Sequence, residues 1–193
     1  MSLRLILLDV PGVLYSDRSA ARLGGKPGNG APGDMRLFDP VALGFVRRLF
    51  GLAGARVVLP SAWSRGVRAA TIQQLDLQVQ AFAPAVDGGF GAEAAAWLAG
   101  ADEPQSYVLL TADAASVPAA LRPRTLAVDG RTGLTVDDFQ RALDMLGVAP
   151  PHDLYPPTGP DARVQARLLQ LRRAARRQPE AVSKAAAAEP AHA

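Results

Sequence analysis

Asp9 closes the apolar run "LRLILLD" and leads into "VPGVLYSDR", a turn built around Gly12. A carboxylate carried to the end of a buried run and into a glycine turn is held as a catalytic loop holds a nucleophile or a proton carrier. Two further stretches place polar side chains directly after apolar runs: Pro60-Ser61 after "ARVVL", and Thr111-Ala112-Asp113 after "SYVLL". His152 and His192 lack the neighbours of a catalytic or metal-bound histidine and read as solvated. Whether the remaining groups act together depends on the elements that carry them.

Residues 3–9 are too apolar for a strand with one wet face, so they read as a central, parallel strand. Residues 17–36, with "GGKPGNGAPGD", read as a mobile excursion without an element of its own. "DPVALGFVRRLFGLAG" has Asp39 as N-cap, Pro40 at the first helical position, and Gly54 as its stop. "ARVVLPS" is a strand, "SRGVRAATIQQLDL" a helix, Val79–Phe82 a strand and "GAEAAAWLAG" a helix. "SYVLLTAD" and "RTLAVD" are the last two strands. In "TVDDFQRALDMLG", Thr135 caps a helix with Asp138 three residues on, and Phe139, Leu143 and Leu146 share one face. Strands alternating with helices imply a parallel sheet covered on both faces, and such sheets bind ligands at the carboxyl ends of their strands. Asp9, Ser61 and Asp113 all fall there.

The rest of the chain bounds the setting. Its 193 residues suit one domain, over residues 1–148, plus an appendage. The absence of cysteine excludes disulfides and thiolate metal sites. Arg4 and Asp9 interrupt any secretory leader and no apolar run reaches about 20 residues, so a cytoplasmic protein with no membrane association is expected. Residues 1–160 hold 14 Lys/Arg against 15 Asp/Glu, whereas 161–193 hold 7 against 3. Residues 149–160 read as a proline-rich linker, 161–178 as a basic amphipathic helix, and 179–193 as a disordered, alanine-rich tail. Arg163, Arg167, Arg172, Arg173, Arg176 and Arg177 give the helix a basic face. That face is open to solvent, to an acidic partner or to nucleic acid, without aromatic residues for base stacking.

"LLDVPGVL", "RVVLPSAWSR", "AAAWLAG", "YVLLTAD" and "GLTVDDFQRALDML", in that order, resemble the haloacid dehalogenase-like (HAD) superfamily. The closest likeness is to the compact HAD domain of Swiss-Army-knife RNA-repair proteins, over about residues 3–147. The resemblance implies a three-layer, Rossmann-like α/β fold with a mainly parallel five-stranded sheet. It also implies magnesium-dependent phosphatase ancestry. In that pattern Asp9 is the nucleophile that forms an aspartyl-phosphate, and Ser61 offers its hydroxyl to the phosphate. Asp9 and Asp113 would be metal ligands, with magnesium as cofactor if any activity remains. Gly12, Tyr15, Arg18, Trp63 and Arg65 are candidates for contact with the substrate.

Several parts of the pattern are missing. The general acid/base aspartate is replaced by Pro11, which carries no side-chain proton; losing a general acid alone costs about 10²–10⁴ in rate. No Lys or Arg lies between Arg68 and Arg122 to clamp the phosphate, and the usual late acidic pair is reduced to Asp113. Plainer roles stand beside these: Asp9 as a turn residue, Pro11 as a loop stiffener, Ser61 and Trp63 as turn hydroxyl and packing indole, and Asp113 as the N-cap of a helix over "AASVPAAL". The expectation is a HAD-like protein with impaired catalysis that binds a phosphorylated ligand, a nucleic acid or a protein partner. The alternative is a residual phosphohydrolase acting on phosphomonoesters such as nucleotides or nucleic-acid ends. Dehalogenation, which attacks carbon and needs a basic residue for the leaving halide, ranks below both.

Overall fold

The computed structural model describes residues 4–27, 34–101 and 106–150. They lie in the first of the two units into which the chain divides, Met1–Pro150 and Pro151–Ala193. The basic helix, the alanine-rich tail and all but the first two residues of the linker lie outside the described residues.

Five strands, β1 (Arg4–Leu8), β2 (Arg56–Leu59), β3 (Val79–Phe82), β4 (Ser106–Thr111) and β5 (Thr125–Ala127), form one sheet in the order β3-β2-β1-β4-β5. Every pairing is parallel. The chain builds outward from β1 through β2 to β3, then returns to the other side of β1 for β4 and β5. The strand order therefore reverses at β1, the central strand expected from its unbroken apolar run.

Alternation along the strands separates two faces, both buried in the central strands. Leu5, Leu7, Val58 and Leu109 share one cluster with Phe90 and Ala94 of helix α4 (Phe90–Gly100). Ile6, Leu8, Val108 and Leu110 point the other way and are equally buried, which requires a second helical layer. Helices α2 (Pro40–Ala53) and α5 (Val136–Met145) pack against each other, and α5 packs on β4 and β5. Phe45 of α2 stacks on Phe139 of α5 at 5.4 Å between centroids. Both helices start as their sequences dictate. Asp39 caps the Val41 N–H, and Thr135 and Asp138 close a reciprocal capping box.

Two expectations need correction. The 17–36 stretch holds a real helix, α1 (Asp17–Leu23), and a 3-10 turn at Asp34–Leu37. Ser16 and Ser19 satisfy each other's backbone N–H groups, Ala20 and Ala21 favour helix, and Gly24 ends it in the left-handed conformation. Only residues 28–33 of that stretch lie outside the described residues. After β4, "AASVPAAL" forms no α-helix: Asp113 caps a 3-10 turn at Ala114–Ser116, and a second 3-10 segment covers Ala119–Arg124, with Pro118 and Pro123 breaking the run. Helix α3 (Gly66–Gln74) follows a 3-10 turn at Ser61–Trp63.

Candidate functional site

Where strand order reverses in a parallel sheet, the loops at the carboxyl ends part and leave a crevice. Asp9 is the first residue beyond β1 at that point. Pairing of Leu7 with Val58 and of Leu8 with Leu110 sets Asp9 level with Pro60 on one side and Thr111 on the other. Its backbone N–H donates to the Leu110 carbonyl at 2.9 Å. The Thr111 hydroxyl donates to Asp9 Oδ2 at 2.8 Å, and the Val10 N–H to Oδ1 at 2.9 Å. Thr111 is itself oriented, because its Oγ1 accepts the Asp113 N–H at 3.0 Å.

Asp9 is only 8% exposed, and burial pushes its pKa up to about 6. The bonds from Thr111 and Val10 pull the other way, while the negative charges of Asp113 and Glu93 add to the rise. Gly12 sits at φ +74°, and a methyl group built on it would stand 2.3 Å from the Ala112 Cβ. Two crossing loops thus hold Asp9 in place.

Asp9 opens onto a pocket of about 290 Å³ with Pro11, Tyr15, Trp63, Arg68 and Glu93 among its lining residues. Trp63 is buried and meets Phe38 edge-on, and Phe38 meets Tyr15 in the same way. The Arg68 guanidinium lies 5.4 Å from the centroid of the Trp63 ring. Among the described residues it has no carboxylate partner. The Tyr15 hydroxyl is held above its ordinary pKa by burial and by Asp9, so at neutral pH it is a hydrogen-bond donor.

Ser61 is engaged differently from the expectation. Its backbone N–H donates to Glu93 Oε2 at 2.8 Å, and its hydroxyl donates to Glu93 Oε1 at 2.5 Å. Ser61 lines an adjoining cleft of about 510 Å³ together with Arg65, while Glu93 lines the Asp9 pocket. The Ser61 donors are thus both taken by a carboxylate that lines the Asp9 pocket.

Of the residues singled out from sequence, Asp9, Tyr15 and Trp63 meet around one pocket and Gly12 shapes its loop. Arg65 belongs to the adjoining cleft. Arg18 lines a separate cleft of about 270 Å³ with Arg22 and Asp39. Asp113 is exposed, and its Oδ1 caps the Ser116 N–H. The six arginines from Arg163 to Arg177 lie outside the described residues. Arg68 and Glu93 escaped the sequence reading. Arg68 reaches the pocket only through the turn that brings α3 behind Trp63. Glu93 did leave a signal: it is the lone charge in the small, apolar helix "FGAEAAAWLAG", and one acid there implies a polar partner at the strand ends.

A family model described as the HAD domain in Swiss Army Knife RNA repair proteins matches residues 5–139. The chain belongs to this HAD family. No curated protein and no solved structure matched. The match runs from within β1 into α5 and so takes in the sheet, the Asp9 loop and both Arg68 and Glu93. Magnesium, which HAD ancestry implies, needs oxygen ligands that converge. Among the described residues no group of three or more His, Asp or Glu side chains does so. Asp113 has its Oδ1 in its own cap, and Glu93 has both oxygens on Ser61. These residues do not fit a magnesium centre. The HAD pocket does offer a buried carboxylate, one guanidinium, a phenol and two aromatic walls, a set suited to a small anionic or hydroxylated ligand.

Proposed function

We propose that this HAD-family chain acts by binding a phosphorylated ligand and that hydrolysis at its site is lost or severely impaired. The observation that carries this reading is Pro11. It lines the pocket beside Asp9 at the position that would shuttle the proton, and a pyrrolidine ring neither donates nor accepts one. The other carboxylate on the pocket, Glu93, is tied by both oxygens to Ser61. Phosphoryl transfer depends on positioning and on charge neutralisation, and here Arg68 is the one guanidinium among the described residues of the pocket. The arginines at 163–177 extend the reading to a polyanion such as a nucleic acid.

The deciding experiment is a phosphomonoester panel, run with and without magnesium, on the parent chain and on Asp9→Asn and Pro11→Asp. The parent is expected to show no turnover even at high enzyme concentration. Turnover that disappears in Asp9→Asn would overturn the reading in favour of a residual phosphohydrolase. One observation favours that second reading: with a pKa of about 6, Asp9 is still mostly ionised at neutral pH and opens onto the pocket. Activity gained by Pro11→Asp alone would identify the missing proton carrier as the principal loss.

A further inference from the structure

We infer that the phosphorylated ligand of the Asp9 pocket is an aryl phosphate: Arg68 and Tyr15 receive the phosphate, and a wall of prolines and Phe90 receives the ring. The inference rests on the reading of this chain as a phosphate binder and names the class of ligand.

The polar groups of the pocket divide into those already engaged and those still free. Asp9 accepts one bond on each oxygen, from Thr111 and Val10, and Glu93 accepts one on each from Ser61. Arg68 and Tyr15 are the opposite case: among the described residues neither the guanidinium nor the phenol has a hydrogen-bond partner. Both are donors at neutral pH. Burial raises the Tyr15 pKa and the positive charge of Arg68 pulls it back, so the cation acts at the phenol. Donors left without acceptors on one pocket suit an oxyanion. Stacking prepares the cation for it, since Arg68 lies 5.4 Å from the Trp63 centroid and its planar fork is oriented before any ligand arrives. No Lys or Arg lies between Arg68 and Arg122, so this guanidinium comes from α3 and not from the stretch that leads into α4.

The walls select what carries the phosphate. Pro11, Pro27, Pro60, Ala62 and Phe90 line the same pocket. Proline has no N–H, and none of these five side chains donates or accepts a hydrogen bond. The hydroxyls of a sugar phosphate would leave water there without replacement. A flat apolar ring loses nothing on entry, and Phe90 offers it an aromatic neighbour. Ligand pockets run from about 300 Å³ upward; at about 290 Å³ this one suits a single ring with its phosphate. Arg68 also stands alone against two carboxylates, Asp9 and Glu93. Without it, the described pocket holds no positive charge to keep a phosphate.

The test is a titration of the full chain with phenyl phosphate and with ribose 5-phosphate, followed through the Trp63 indole in ¹H–¹⁵N spectra and assigned with Trp97→Phe. That signal separates this pocket from phosphate held by other arginines. Phenyl phosphate should shift it saturably and bind about ten-fold more tightly than ribose 5-phosphate, the cost of hydroxyls left unpaired. Arg68→Gln should weaken phenyl phosphate about ten-fold or more, the worth of a charge-assisted hydrogen bond. Tyr15→Phe, which keeps the ring against Phe38, should weaken it about three-fold. Arg68→Lys keeps the charge without the fork and should fall between parent and Arg68→Gln; it decides the matter if the glutamine variant does not fold. Arg65→Gln, in the adjoining cleft, should change nothing. A phosphotyrosine peptide that binds more tightly than phenyl phosphate would place the ring on a protein, and one that binds more weakly would make it a small molecule. Equal affinity for the two small phosphates overturns the inference, as does phenyl phosphate binding that survives Arg68→Gln. Turnover of phenyl phosphate that is lost in Asp9→Asn overturns the binding reading instead and leaves the choice of carrier standing, so the two failures are told apart.

Discussion

Asp9 is a carboxylate that the fold holds against its own solvation. A group whose folded pKa lies above its unfolded value binds its proton more tightly in the native state, so it adds stability at low pH that is lost as pH rises. For Asp9 the window runs from the ordinary value of 3.8 up to about 6. About two pH units correspond to roughly 3 kcal/mol at most. Asp9→Asn removes the charge and keeps the shape, with some loss in the bonds from Val10 and Thr111. Its urea midpoint at pH 7.5 should therefore exceed that of the parent by an amount worth about 1–2 kcal/mol, and the difference should close by pH 4. An equal or lower midpoint at pH 7.5 would mean that the two hydrogen bonds outweigh burial. The neighbouring Gly12 makes a second residue-scale prediction. Gly12→Ala meets both a positive φ and the Ala112 Cβ, and should lose about 2–4 kcal/mol. Ala112→Gly on that background should return only the part due to the clash, which a double-mutant cycle measures.

Elements made by local rules were legible, and those made by tertiary contact were less so. Helix α5 showed its cap, its box and its buried face in ten residues, and β1 showed its central place because nothing in it could face water. Helix α1 was hidden by its neighbourhood: the glycines and prolines after Gly24 coloured the whole stretch, and a Ser16–Ser19 box is a quieter signal than Ser with Glu. That box is nonetheless a firm anchor, since Ser16 is buried and the Asp17 and Arg18 N–H groups bond to the Gly130 and Arg131 carbonyls. Ser16→Ala should cost about 1–2 kcal/mol, at the upper end for a lost cap, and amide exchange should quicken across Asp17–Leu23 while α5 stays protected. Exchange rising equally in both helices would show that α1 is not a separate unit. The site divides along the same line. Asp9, Tyr15 and Trp63 could be found because a motif runs along the chain, whereas Arg68 and Glu93 come together only through α3 and α4. Arg18, in α1, and Arg65, at the start of α3, are close in sequence to the motif but are carried into other clefts.

At the scale of the whole molecule, the charge asymmetry and the sheet's switch point pose one question. The sheet's switch point sets Asp9 and its pocket in a near-neutral body, while the surplus of cations lies in residues 161–193. If those cations meet a nucleic acid, the contact must release counterions, and affinity must fall steeply with salt; six to ten phosphate contacts lose about 10³–10⁵ between 50 and 200 mM. Replacing Arg172, Arg173, Arg176 and Arg177 with glutamine removes four such charges. On single-stranded RNA this should weaken binding and reduce the slope of log K against log salt by about 3, at about 0.7 per phosphate. A slope that does not change would remove nucleic acid from the tail's partners, and the pocket would then be the place to look for what this HAD-family chain binds.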